Sequence, residues 1–202
     1  MTIRVLLADD QALVRGAMSA LLSLEADIDV VAELGRGDEV AAAAERSQPD
    51  VAVLDIEMPG LDGIAAASEL ARTRPECRVI MVTTFGRPGY LKRAMQAGAL
   101  GFLVKDTPAA QLADAVRRVM RGERVVDSAL AIESLSQGDS PLTERERDVL
   151  ALARTGCTIN ELARTLHLSE GTVRNHLSSA IGKTGARNRA DAARIATENG
   201  WL

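Results

Sequence analysis

Five short apolar runs recur at near-even spacing through the first half of the chain, at residues 3–8, 28–32, 51–54, 79–82 and 100–104. Each is rich in Val, Ile and Leu and does not alternate with polar residues, the pattern of strands buried on both faces. Between and after them lie stretches with helical spacing, about 11–24, 37–48, 62–73, 87–98 and 107–121. Leu13, Ala17, Leu21 and Leu24 form one stripe in the first; Leu112, Ala115, Val116 and Val119 form another in the last. Gly98 ends the fourth helix, and Thr107-Pro108 supplies a cap and a first-turn proline to the fifth. Five strand–helix alternations predict an α/β unit with a five-stranded parallel sheet.

The pattern stops at 123–141, where a weak apolar stretch is followed by Ser-Gln-Gly-Asp-Ser-Pro, a linker signature. Beyond Pro141 only helical spacing remains, over 143–155, 158–166, 170–183 and 188–198. Thr143 with Glu146 makes a capping box, and Gly156 stops the first of these helices. We therefore expect a sheet domain at 1–122, a linker at 123–140 and an all-helical domain at 141–202. Charge follows the same division. Residues 1–140 hold 15 basic and 21 acidic side chains, residues 141–202 hold 9 and 7. The mildly basic tail suits a polyanionic partner. No apolar run approaches the roughly 18 residues that span a bilayer. Acidic residues follow the first apolar run directly, unlike a signal peptide. Cys77 and Cys157 lack metal-type spacing and read as reduced thiols. A cytoplasmic protein without membrane insertion is expected.

In a parallel α/β sheet, strand ends converge on one edge, where ligands bind. Asp9 and Asp10 close the first run, and Asp55 closes the third. Three carboxylates at one edge make an oxygen-rich site suited to Mg²⁺. Thr83 and Lys105 end the fourth and fifth strands and bring a hydroxyl and an ammonium to the same edge. That set fits transient phosphorylation of a carboxylate. With Met58-Pro59-Gly60, Asp62-Gly63 and the Gly98-Ala99…Gly101-Phe102 segment, these residues resemble a response-regulator receiver domain, of flavodoxin/CheY-like fold. The resemblance covers about the first 122 residues. It implies that Asp55 is the phosphoacceptor. It also implies that Asp10 and Asp55 ligate Mg²⁺ directly, with Asp9 through water and the Glu57 backbone carbonyl adding a ligand. Thr83 and Phe102 would be the switch pair. Asp106 stands where many receivers have proline.

In the tail, Ile159, Leu162, Ala163 and Leu166 stripe one helix, Leu168 lies in a turn, and Val173, Leu177, Ala180 and Ile181 bury the next. Ser169 is the expected N-cap of that second helix. Its outward face carries Arg174, Asn175 and Ser178, with Lys183, Arg187 and Arg189 at or beyond its far end. Arg and Asn pair with guanine and adenine edges in the major groove, and basic residues hold phosphates. This is a helix-turn-helix reading. The Leu142–Leu150 segment, Glu161-Leu162-Ala163, Leu168-Ser169, Thr172–His176 and Arg187-Asn188-Arg189 resemble the LuxR-type DNA-binding domain. By that match Thr172, Arg174, Asn175 and Ser178 face DNA. His167 and His176 read as structural or phosphate-contacting. An aromatic content of 2% disfavours a base-stacking single-strand or RNA binder.

A receiver joined to such a tail resembles a NarL/FixJ-family two-component response regulator. The resemblance implies a transcription factor rather than an enzyme. A sensor histidine kinase would phosphorylate Asp55, the face of the fourth helix and fifth strand would favour a homodimer, and two tails would bind promoter DNA. A narrower resemblance, to DesR-type regulators of membrane-lipid desaturation, rests on residues 83–90 and Asn199-Gly200-Trp201. Three rivals stand beside this reading. A Mg²⁺-dependent phosphohydrolase would need a second acid two residues after Asp55, where Glu57 is the sole candidate. A nucleotide- or flavin-binding protein lacks its glycine motifs. A receiver that dimerises without phosphate shares every residue named.

Overall fold

The computed structural model describes residues 2–84, 88–127 and 140–202. It divides into two compact units, one of residues 1–86 and 91–132, the other of residues 87–90 and 133–202. The first carries strands β1 (Ile3–Ala8), β2 (Ile28–Leu34), β3 (Val51–Asp55), β4 (Arg78–Thr83), β5 (Gly101–Val104) and β6 (Val125–Val126). Its helices are α1 (Ala12–Leu22), α2 (Val40–Ser47), α3 (Gly63–Thr73), α4 (Pro88–Gln96) and α5 (Ala109–Met120). The strands pair in parallel in the order β2-β1-β3-β4-β5-β6. From β1 the chain turns one way to β2 and the other way to β3. The crevice beyond their carboxyl ends is therefore the switch point where such sheets bind ligands.

The sheet is built as the apolar runs demand. All five residues of β3 are buried, and β1 is buried from Val5 onward. One face packs Val5, Leu7, Val53, Ile80 and Val82 against Val116 and Val119 of α5. Each such side chain contributes about 1.5–3 kcal/mol by leaving water.

Three expectations change. The sheet has six strands rather than five: Gly101 and Phe102 pair with Val125 and Val126, in the stretch expected to be linker. Two residues are too few to show a period, so β6 was invisible in the residue pattern. Pro108, not Thr107, occupies the N-cap of α5, and no side chain caps it. The stripe Leu13-Ala17-Leu21-Leu24 faces outward, with Leu13 at 87% and Leu24 at 80% exposure. The sheet instead receives the neighbouring stripe, Met18 and fully buried Leu22.

The second unit comprises α6 (Glu144–Ala153), α7 (Ile159–Thr165), α8 (Glu170–Thr184) and α9 (Arg189–Glu198). Thr143 and Glu146 form the expected capping box on α6, and Thr158 with Glu161 forms a second on α7. Ser169 accepts from Thr172 N and caps α8. Val149, Leu150, Leu162, Val173, Leu177 and Ala180 make the core, with Trp201 packed against it. The α7–α8 turn passes through His167 at φ 54°, a left-handed conformation that histidine adopts more readily than most residues.

Candidate functional site

Strand ends and helix starts build the site. Asp9 follows β1 directly, and Asp55 closes β3 one residue short of Thr83 in register, since Asp55 pairs with Val82. Lys105 follows β5, its N–H donating to the Thr83 carbonyl at 2.8 Å. Asp9, Asp55 and Thr83 are buried, at 0%, 3% and 3% exposure, while Asp10 is exposed. Carboxylate oxygens of Asp9, Asp10 and Asp55 all lie within 4.8 Å of one another. The Lys105 ammonium sits 2.8 Å from Asp9 Oδ2 and 3.1 Å from Asp55 Oδ2.

Burial pushes the Asp55 carboxyl up to about 6, against the pull of Lys105 in the other direction. Burial would lower the Lys105 ammonium, but Asp9 and Asp55 outweigh it and raise it. The Lys105–Asp9 contact is one of distance rather than alignment, because neither Lys105 Nζ nor Asp9 Oδ2 makes an aligned hydrogen bond. One ammonium thus contacts two of three clustered carboxylates, and Asp9 among them has a buried, under-satisfied oxygen. This donor set fits a hard divalent cation.

The loops are held from outside the acidic set. Asp9 Oδ1 accepts from Gln11 N at 2.9 Å, and Arg15 Nη1 donates to the Asp9 carbonyl at 2.5 Å. Arg15 lies six residues downstream in α1, and no motif spacing marked it. At α3, Asp62 caps the helix through Ala65 N at 2.7 Å. A Cβ on Gly63 would fall 1.9 Å from the Asp55 carbonyl oxygen, so only glycine lets this helix start so close to β3. Glu57 is exposed beyond β3, and Phe102 is fully buried in β5. Phe85, Gly86 and Arg87, part of the DesR-type segment, lie outside the described residues.

A second surface lies on α8. Arg174, Asn175 and Ser178 are exposed on it, and Thr172 is half-buried, its hydroxyl 2.8 Å from Ser169 Oγ. The cations expected to meet phosphate are partnered. Lys183 donates to Glu146 at 2.8 Å, Arg187 pairs with Asp191 at 3.4 Å, and Arg189 donates to the Cys157 carbonyl at 3.0 Å. Buried Glu146 also accepts from Ser179 Oγ at 2.6 Å and Thr143 N at 2.7 Å. Burial would raise its carboxyl, but Lys183, Ser179 and Thr143 together bring it down to about 2. His176 is half-buried on the same helix.

Comparison with known proteins gives both units a family. Residues 5–117 match the response regulator receiver domain, and residues 140–196 match the luxR family of bacterial regulatory proteins. The chain is 43% identical over 200 residues to the uncharacterized transcriptional regulatory protein YvfU of Bacillus subtilis, covering 99% of this chain and 100% of YvfU. It is 42% identical over 200 residues to the transcriptional regulatory protein DesR of the same organism, covering 99% of each. The crystal structure of response regulator ChrA, from a heme-sensing two-component system, aligns at a TM-score of 0.59 with 34% identity, covering 100% of this chain and 99% of that one. Matched in both units and along its whole length, the chain belongs to the two-component response regulators that join a receiver domain to a luxR-type DNA-binding domain.

Proposed function

We propose that Asp55 accepts a phosphoryl group from a sensor histidine kinase and that the modified protein dimerises and binds promoter DNA through α8. The observation that carries this is the placement of Asp55, buried at a strand end, 3.1 Å from Lys105 and clustered with Asp9 and Asp10. Asp9, Asp10 and Asp55, with the Glu57 backbone carbonyl, would hold Mg²⁺. Bound there, the ion would neutralise charge on the incoming phosphoryl oxygens. Asp55 supplies the attacking carboxylate oxygen. Lys105 exchanges its contact with Asp55 for one to the phosphoryl group, and the Thr83 hydroxyl donates to another phosphoryl oxygen. Thr83 and Phe102 then carry the change outward. The protein acts in the cytoplasm as a regulator, not as a turnover enzyme.

The donor protein would seat beside the site. A groove of about 280 Å³ runs from Lys105 along the outward stripe of α1, past Leu13, Val14, Ala17 and Leu21. Exposed apolar surface of this kind marks protein contact. Regulation of membrane-lipid desaturation genes rests on the likeness to DesR, which YvfU matches in identity. Weight therefore falls on the shared architecture rather than on one pathway.

Mass spectrometry after treatment with a small-molecule phosphodonor and Mg²⁺ tests the assignment. Wild type should gain one phosphate and Asp55→Asn none. Equal labelling of the two proteins would contradict it.

A further inference from the structure

The first turn of α8 holds a carboxylate to which the DNA-facing set gives no role. Glu170 Oε2 accepts from Arg174 Nη2 at 2.8 Å, and its Oε1 accepts from Asn160 Nδ2 of α7 at 3.2 Å. Both members of the pair remain open to solvent, Glu170 at 43% and Arg174 at 58% side-chain exposure. The contrast is Glu146, whose carboxylate is 5% exposed and held by three residues. Glu146 is a fixed tether, whereas Glu170 can exchange partners. An acid in a first turn suits the helix dipole, and a Glu–Arg pair four apart adds slightly to helix stability. Neither effect calls for Asn160 to reach from the preceding helix and hold the second oxygen. The reach matters for position: it fixes the carboxylate on the end of the helix that meets base edges in a helix-turn-helix complex.

We propose that Glu170 is a specificity-determining residue of this surface, acting with Arg174 to read a cytosine near a guanine in each half-site. The inference rests on the reading of α8 as the DNA-reading helix. Arg174 has the donor fork that matches guanine O6 and N7. Glu170 is acceptor-only, so a base edge must offer it a donor, and the cytosine N4 amine is the donor a carboxylate accepts in the major groove. Four residues advance about 6 Å along a helix, close to two base-pair steps, so the two side chains address positions about two base pairs apart. Oε1 leaves Asn160 for the cytosine amine, while Oε2 keeps the Arg174 guanidinium in plane. A sequence without a donor at that position leaves Oε1 facing the DNA without a base donor. Glu170 thus excludes wrong sites as well as favouring right ones.

The test is selection of duplexes from a random-sequence library by the full-length chain after phosphodonor treatment, for wild type, Glu170→Ala, Glu170→Gln and Arg174→Ala. Wild type should enrich a motif with cytosine at one position per half-site. Glu170→Ala should keep the rest of the motif and lose that preference by about fivefold or more, while its affinity for random duplex rises. Glu170→Gln should move the preference towards adenine, whose N6 and N7 a glutamine amide matches. Arg174→Ala should flatten the nearby guanine. A motif unchanged at every position in Glu170→Ala, or weakened at all positions alike, overturns the inference and leaves DNA binding intact. A wild type that enriches no motif overturns the DNA-binding reading itself, and this inference with it.

Discussion

Lys105 and Glu146 show the same physics with opposite functional results. Lys105 has two carboxylate neighbours at 2.8 and 3.1 Å but no aligned hydrogen bond, so its contacts can be exchanged. Lys183, expected to meet phosphate, is bonded to a buried carboxylate that has two further donors. We expect Lys183→Met to weaken DNA binding through the set of α8 while leaving the slope of log affinity against log salt unchanged. A slope reduced by about one would show a phosphate contact instead. Glu146 also gives a pH dependence. Its folded value of about 2 lies below the ordinary 4.5, so the unfolded chain takes the proton first as pH falls. The stability it adds, on the order of 2 kcal/mol after discounting for the partly exposed lysine, is present above about pH 4.5 and lost towards pH 2. Urea unfolding followed by Trp201 fluorescence, the single tryptophan, should show the gap between wild type and Glu146→Gln narrowing from pH 6 to pH 3.5. Gly63→Ala should cost about 1–3 kcal/mol in the sheet unit, because a methyl group there meets the Asp55 carbonyl oxygen. An unchanged urea midpoint for that unit would refute the close approach. The strand-end residues were legible in the sequence because a parallel sheet gathers them by topology alone. Arg15, the ties of Glu146 to Ser179 and Lys183, and the contact of Glu170 with Asn160 were not, since they come from side-chain reach between elements and leave no spacing behind.

At the level of elements, periodicity placed nearly every strand and helix, and it failed where two answers had equal pattern. Helix α1 carries apolar residues on two adjacent stripes. Both satisfy helical spacing, so the sequence could not say which one meets the sheet; Leu22 is buried and Leu13 is not. The outward stripe is then available to a partner. Leu13→Asp should change stability by no more than about 0.5 kcal/mol, as surface positions do. It should leave labelling by a small-molecule phosphodonor intact and slow phosphotransfer from the kinase. Equal slowing with both donors would place Leu13 in the site's own machinery rather than on a docking surface. Strand β6 is the converse case: two residues recruited by the free edge of β5 make a strand that no pattern announces. Capping residues, by contrast, were legible at Thr143 and Ser169, because a cap is a local bond between residues three apart, though not at Thr107, where Pro108 takes the N-cap.

Across the whole molecule, phosphorylation of an aspartate in one unit would act on a DNA-binding helix in the other. A modification can strengthen DNA binding only if it favours the binding-competent state over the other, here the dimer over the monomer. A dimer of two-fold symmetry would read paired half-sites, since one helix reads too few base pairs for specific control. Fold class and family were legible, because both domains announce themselves by ordered sets of residues. The coupling between them was not, since no single unit's pattern records an equilibrium. It is tested most directly by fluorescence anisotropy of a labelled promoter duplex titrated with the full-length protein, before and after phosphodonor treatment. Phosphorylated wild type should bind about tenfold or more tightly than untreated protein, and Asp55→Asn should show no change. Identical affinity for wild type in both states would contradict the account.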